Sequence, residues 1–258
     1  MSSLLLIAGP CVLEEERGAV EIAKTLRDIA ARQGVSFMFK ASFDKANRTS
    51  LGAYRGPGLD KGLRMLAAIR GAAGVRVMSD IHEPAQAAPA AEVLDMLQIP
   101  AFLCRQTDLV VAAARTMKPL NLKKGQFVSP LDMGYVANKA AETGNRDLWL
   151  TERGACFGYN NLVVDFRSLS IMRGLGYPVI FDATHSVQIP SQGGASSGRR
   201  EFVAPLARAA AAYGIDGLFL EVHPEPDKAL CDGPNSLPLA EVETLLATIN
   251  AIRAAAGA

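Results

Sequence analysis

The chain has 258 residues, of which 49% are apolar, and its charges nearly cancel, with 27 Lys and Arg against 26 Asp and Glu. That balance provides no global field to draw in nucleic acid or an anionic membrane, so any basic cluster must be local. No apolar run approaches the ~20 residues of a bilayer span, and the opening MSSLLLIA lacks the basic flank of a secretory signal, so a cytoplasmic protein without a membrane partner is expected.

Short β-type runs then alternate with amphipathic, helix-like stretches. In chain order the runs are Leu4 to Ala8, Ser36 to Ala41, Val75 to Ser79, Met96 to Ile99, Leu120 to Leu122, Leu148 to Leu150, Val179 to Ala183 and Gly217 to Leu220. The helical patterns between them include Ala19 to Gln33, Leu59 to Arg70, Thr107 to Met117, Met133 to Glu142, Val163 to Arg173, Glu201 to Tyr213 and Leu239 to Ala256. Eight such units nearly exhaust the chain and match the ~250 residues of a (β/α)8 TIM barrel. With no linker in sight, residues 1–258 read as a single α/β catalytic domain. An open doubly wound sheet would want Gly-x-Gly-x-x-Gly after its first strand, whereas this turn reads Ala-Gly-Pro-Cys.

At or just past the ends of these runs stand Cys11, Lys40, Asp80, Gln98, Lys123, Arg153, His185 and Glu221. In a parallel barrel they converge on the C-terminal mouth, where such folds carry their chemistry. Two long connections open on the same end. Ser42 to Gly58 is polar, and Gln188 to Arg200 has the Gly/Ser-rich composition of a lid.

Lys40, Lys45, Arg48, Arg105, Lys123 and Arg153 concentrate positive charge at that mouth. With Gln98 they suit a ligand bearing both a carboxylate and a phosphate, since guanidinium clamps planar anions and ammonium acts as a point charge. Cys11, His185, Glu221 and Asp232 are donors for a divalent ion such as Zn, Fe or Mn, the identity left open. They belong to strands one, seven and eight, which are neighbours only if the barrel closes. His223 and Cys231 stand beside proposed ligands as decoys, although strand alternation alone does not dismiss His223. The four cysteines lack Cys-x-x-Cys spacing and read as unpaired thiols.

The stretches FKASFDKANR (39–48), YRGPGL (54–59), SDIHEP (79–84), QIPAFLCRQTDL (98–109), NLKKGQFVSP (121–130), ERGACFGYNNLVVD (152–165), FDATHSVQ (181–188) and CDGPNSLPL (231–239) resemble the 3-deoxy-D-manno-octulosonate 8-phosphate synthase family. The resemblance covers essentially the whole chain. It implies condensation of phosphoenolpyruvate with D-arabinose 5-phosphate and water, in lipopolysaccharide precursor synthesis, by a cytoplasmic homotetramer. Cys11, where the metal-free members carry asparagine, implies the metal-requiring type with Cys11, His185, Glu221 and Asp232 as ligands. By the same resemblance Lys40, Lys45, Gln98, Arg105, Lys123 and Arg153 hold phosphoenolpyruvate, and Asn47 and Arg48 hold the sugar phosphate. Thr49 stands where the family has serine and keeps the hydroxyl. Lys40, Lys45, His185 and Asp232 are implied as catalytic, with His185 also touching substrate. In the mechanism Asp80, also a catalytic candidate, and His82 are read as proton relays, a structural role being the alternative for His82. The sibling that condenses erythrose 4-phosphate tends to show Lys-Pro-Arg-Thr here, against which Asn47 argues. A sialic-acid-type synthase would add a C-terminal domain, and a silent phosphosugar binder has no need of four metal donors.

Overall fold

Eight short runs form parallel strands because helices cover one face of each and inward side chains fill the other, so both faces bury apolar surface. They are β1 (Leu5–Gly9), β2 (Ser36–Lys40), β3 (Arg76–Asp80), β4 (Met96–Ile99), β5 (Leu120–Lys123), β6 (Leu148–Glu152), β7 (Val179–Asp182) and β8 (Gly217–His223). The computed structural model describes residues 3–189 and 197–257. Each strand pairs with the next, and β8 pairs back on β1 with Leu5 opposite Gly217 and Gly9 opposite Glu221. That last pairing closes the (β/α)8 barrel.

The helices are α1 (Glu16–Arg32), α2 (Leu59–Ala73), α3 (Ala87–Val93), α4 (Thr107–Arg115), α5 (Met133–Ala141), α6 (Arg167–Arg173), α7 (Val203–Tyr213) and α8 (Val242–Ala256). α1 shows why they dock. Its buried residues Ala19, Ile22, Ala23, Leu26, Ile29 and Ala30 recur at helical spacing and make one stripe against the sheet. Leu26 alone, fully buried, contributes roughly 1.5–3 kcal/mol of transfer free energy. α2 runs three residues past its expected end and stops at Gly74, whose left-handed φ of 64° lets its N–H cap the Arg70 carbonyl.

Some boundaries differ from the sequence reading. Val163 leaves the expected helix and, with Leu162, pairs antiparallel with Ala155 and Cys156, and α6 begins only at Arg167. Short 3-10 turns at Arg200–Phe202 and Leu239–Glu241 delay α7 and α8. α3 is an unforeseen seven-residue helix whose Ala-rich sequence, broken by Pro89, carries almost no periodic signal. Residues 190–196, the middle of the expected lid, lie outside the described residues; the flanking Gln188 and Ile189 pair with Gly198 and Ser197.

Strand alternation stacks two layers inside the barrel. Leu5, Ile7, Met38, Met78, Met96, Ile180 and Phe219 form an apolar plug, with Trp149 against it. Two residues further along, on the same inward side, come Gly9, Lys40, Asp80, Gln98, Asp182 and Glu221. The polar layer therefore sits directly on the plug at the C-terminal mouth. Gly9 belongs to it because a Cβ there would overlap the Lys40 carbonyl and crowd the Phe39 ring. Gly71 in α2 has nothing nearby. We expect Gly9→Ala to destabilise the protein by about 1–3 kcal/mol through overpacking. Gly71→Ala, an exposed helical site, should stabilise it by roughly 0.5–1 kcal/mol. Urea unfolding of the two variants beside wild type checks both signs.

Candidate active site

The mouth opens on a cavity of about 190 Å³ lined by Lys40, Lys45, Asn47, Arg48, Asp80, His82, Gln98, Lys123, Arg153, His185 and Asp232. Cys11 and Glu221 do not line it but lie buried beneath, the latter wholly inaccessible. Most of the residues singled out by sequence thus meet in one place. Two do not. Arg105 is exposed and lines a separate cavity with Phe127, Tyr135 and Lys139, so within its own chain it adds no charge to the main one. Thr49 is exposed and absent from the lining.

At the floor, Cys11 Sγ lies 3.4 Å from Asp232 Oδ2, and His185 Nε2 lies 3.6 Å from Glu221 Oε1 and 3.9 Å from Asp232 Oδ2. Ligands bonded tetrahedrally at ~2.0–2.3 Å stand roughly 3.3–3.8 Å apart, which the first two separations match, and the donors form two groups that share Asp232: His185 with Glu221, and Cys11 with Cys231. Both oxygens of Glu221 and Oδ1 of Asp232 are buried without a hydrogen bond among the described residues. Buried carboxylate oxygens left bare in this way call for a cation. Lys40 and Lys45 approach Glu221 only to 3.8 and 3.7 Å, ion-pair range but too long for hydrogen bonds. The donor chemistry and geometry fit a divalent metal. Burial first, then a hydrogen bond with Cys231 and the Asp232 charge, push the Cys11 thiol well up, so taking a cation there would release a proton.

The two decoys part company. His223 faces away, accepting the Glu225 N–H at 3.0 Å and lying 4.0 Å from Glu14. Cys231, set aside from sequence, joins Cys11 and Asp232 in a group of donors within 4.8 Å of one another, and Arg48 Nη1 donates to its Sγ at 2.7 Å. Asp232 reaches the floor from a backbone held at φ 48°, a left-handed conformation that Asp tolerates better than most residues.

Cations surround this floor, and buried acids hold them. Lys40 Nζ donates to Ser42 Oγ at 2.9 Å; that hydroxyl donates to Asp80 Oδ1 at 2.5 Å, and His82 Nε2 meets Asp80 Oδ2 at 3.1 Å. Burial would raise the Asp80 carboxyl, but the Lys40 charge and the His82 contact outweigh it and hold the group well below the ordinary range. Burial would also lower the Lys45 ammonium, yet the nearby Cys11 and Glu221 carry it well above its usual value. Arg153 donates through Nη2 to Gln188 Oε1 at 3.0 Å and leaves Nη1 buried without a hydrogen bond among the described residues. Gln98 has its orientation set from behind: Thr151 donates to Asn121, whose amide donates to Gln98 Oε1 at 3.1 Å, leaving the Gln98 NH2 for the cavity.

Sequence reasoning missed Ser42, Asn121, Thr151 and Asp182. All but Ser42 sit within strands on the inward period; Asn121 and Thr151 precede the strand ends on which attention fell, and Asp182 was passed over for His185 after the same strand. Asp182 was signalled by Asp-x-x-His and by its spacing of two from Ile180.

The DAHP synthetase I family matches residues 2–256. A relative from Desulfotalea psychrophila named 2-dehydro-3-deoxyphosphooctonate aldolase is 62% identical over 253 residues, covering 98% of this chain and 90% of its own. Proteins of the same name from Desulfatibacillum aliphaticivorans and Geobacter metallireducens are 60% and 61% identical, covering 98% and 97% of this chain and 93% of each relative.

The depressed Asp80 carboxyl gives a pH prediction. A group with a lowered folded value adds stability above its unfolded pKa of ~3.9, and that contribution disappears as pH falls through the folded value. Asp80→Asn should therefore cost about 3 kcal/mol at pH 7, by leaving Lys40 and His82 without their acid. The gap from wild type should narrow below pH ~4. Urea unfolding at neutral and acid pH measures it, and a gap independent of pH would contradict the assignment.

Proposed function

The chain belongs to the DAHP synthetase I family, and from that membership we propose that it is a 2-dehydro-3-deoxyphosphooctonate aldolase. In this reading it joins phosphoenolpyruvate, D-arabinose 5-phosphate and water into 3-deoxy-D-manno-octulosonate 8-phosphate and inorganic phosphate, for lipopolysaccharide precursor synthesis. The observation that carries it is one cavity in which Lys40, Lys45, Lys123 and Arg153 stand with the donors His185 and Asp232, over the buried donors Cys11 and Glu221. Relatives near 60% identity over almost the full length carry the aldolase name. Asn47, where the erythrose 4-phosphate sibling tends to have proline, favours the five-carbon acceptor.

The chemistry follows from charge. Water attacks C2 of phosphoenolpyruvate while its C3 attacks the sugar aldehyde, and the resulting hemiketal phosphate loses phosphate by C–O cleavage. Lys40, Lys45, Gln98, Lys123 and Arg153 hold the carboxylate and phosphate, and fixed donors in a dry pocket stabilise developing charge better than water does. Asn47 and Arg48, both lining the cavity, hold the sugar phosphate. Asp80, with His82, relays protons at the reacting end. Cys11, His185, Glu221 and Asp232 would hold a divalent ion, Zn, Fe or Mn, which would supply Lewis-acid chemistry there.

Residues 1–258 act in this reading as one catalytic domain in a cytoplasmic homotetramer. Four free thiols support a reducing compartment, and no described helix is long and apolar enough to cross a membrane. Exposed Phe127 and Tyr135, which line a cavity with Arg105, support burial of that face against other copies. Arg105 then belongs to the phosphoenolpyruvate set in the assembly rather than in the lone chain.

The deciding assay is release of phosphate from phosphoenolpyruvate with each aldose phosphate. Arabinose 5-phosphate should support it and erythrose 4-phosphate should not; the reverse preference would give the sibling activity. Exhaustive chelation should abolish turnover and a divalent ion restore it, while Cys11→Ala should lose metal content and activity together; a full-rate, metal-free Cys11→Ala enzyme would overturn the ligand set. Arg153→Ala should weaken phosphoenolpyruvate use by about 2–5 kcal/mol in kcat/KM, because a buried charge contact is removed.

A further inference from the structure

Asp182 ends β7 fully buried, outside every role assigned so far, with both carboxylate oxygens engaged at the centre of the site. Its Oδ1 accepts the backbone N–H of His185 at 2.9 Å. Its Oδ2 meets His185 Nδ1 at 2.8 Å and Lys123 Nζ at 2.5 Å. An ionised carboxylate only accepts, so the imidazole must be the donor at Nδ1. The lone pair of the neutral ring then lies on Nε2, the nitrogen that faces Glu221 and Asp232. Lys123 Nζ, 3.4 Å from Nδ1, is left to Asp182 and to the face of Phe219, 4.0 Å from its ring centroid. The same turn fixes the opposite ligand, since Thr184 Oγ1 accepts the Glu221 N–H at 2.8 Å.

We infer that Asp182 is a positioning residue that fixes His185 as an Nδ1–H tautomer for metal binding and, through the same oxygen, anchors Lys123 for the anion. A carboxylate behind a ligating imidazole both orients the ring and raises its basicity. Here the carboxylate is shared with a cation of the anion pocket, so one side chain couples the two halves of the site. The inference rests on the reading of His185 as a metal ligand.

The test uses metal-free full-length protein titrated with Zn2+ against a chromogenic chelator. Asp182→Asn should raise the Zn2+ dissociation constant about 10- to 100-fold, the usual effect of losing such a partner. It should also raise KM for phosphoenolpyruvate, because its amide NH2 cannot accept from Lys123. Lys123→Met should raise that KM yet leave Zn2+ affinity within about threefold, since Asp182 still holds His185. Glu152→Gln, altering a buried carboxylate elsewhere, should lower stability without moving Zn2+ affinity. Unchanged Zn2+ affinity in Asp182→Asn overturns the inference, as does an equal loss in Glu152→Gln, which would mark a general effect of fold. Wild-type protein that takes up no Zn2+ overturns the ligand reading instead. Should Asp182→Asn not fold, nitrogen-15 spectra of the wild-type Zn2+ form decide, with three histidines to assign. A proton on Nδ1 of His185 supports the inference and one on Nε2 sinks it.

Discussion

Pairing of β8 with β1 is the constraint on which the site depends. Gly9 lies opposite Glu221 at the end of that ladder, so the first strand delivers Cys11 two residues on, beside ligands from the chain's last third. Cys11 and Asp232 are separated by more than two hundred residues and meet at 3.4 Å. No local interaction could arrange this. The hydrogen bonds of a parallel ladder fix the register, and a slip of one residue would turn Glu221 out of the interior. Gly9 contributes by absence, for any side chain there would collide with the neighbouring strand at Lys40.

Burying so many charged groups in one layer is tolerable only because each has a partner of opposite sign. Asp80 serves Lys40 and His82, Asp182 serves Lys123 and His185, and Glu221 lies within reach of Lys40, Lys45 and His185. Such pairing does not make the protein more stable than an apolar core would. It holds several cations in fixed positions before any anion arrives, which is what electrostatic preorganisation requires. The apolar plug beneath keeps this layer away from water on its inner side.

The barrel was legible in the sequence because eight buried runs recur with helical stripes between them, and every strand core fell where expected. Helix ends were less so: Val163 reads as helical but is taken, with Leu162, by a two-residue ladder, a tertiary contact without local signature. The convergence of Cys11, His185, Glu221 and Asp232 was visible because Cys11, His185 and Asp232 follow strands that neighbour one another in a closed barrel, and Glu221 follows the last apolar run, Gly217 to Leu220. Asp182, the last residue of β7, was hidden by the choice of His185 just after the same strand, and Cys231 by adjacency to a better candidate. Arg105 shows the limit of strand-end reasoning. It lies after β4 but on the short turn leading to α4, whose exposed position faces outward.

The left-handed backbone at Asp232 has a consequence for how this position can drift. Glycine and asparagine adopt that conformation readily, whereas alanine, serine or a β-branched residue would meet steric cost before any chemistry was considered. Exchanges that spare the main chain are therefore confined to a narrow set, and asparagine alone of these keeps a side-chain oxygen over the floor. Mutational tolerance at this position is bounded by a torsion angle as much as by the ion, so the genetic code offers few single steps away from it.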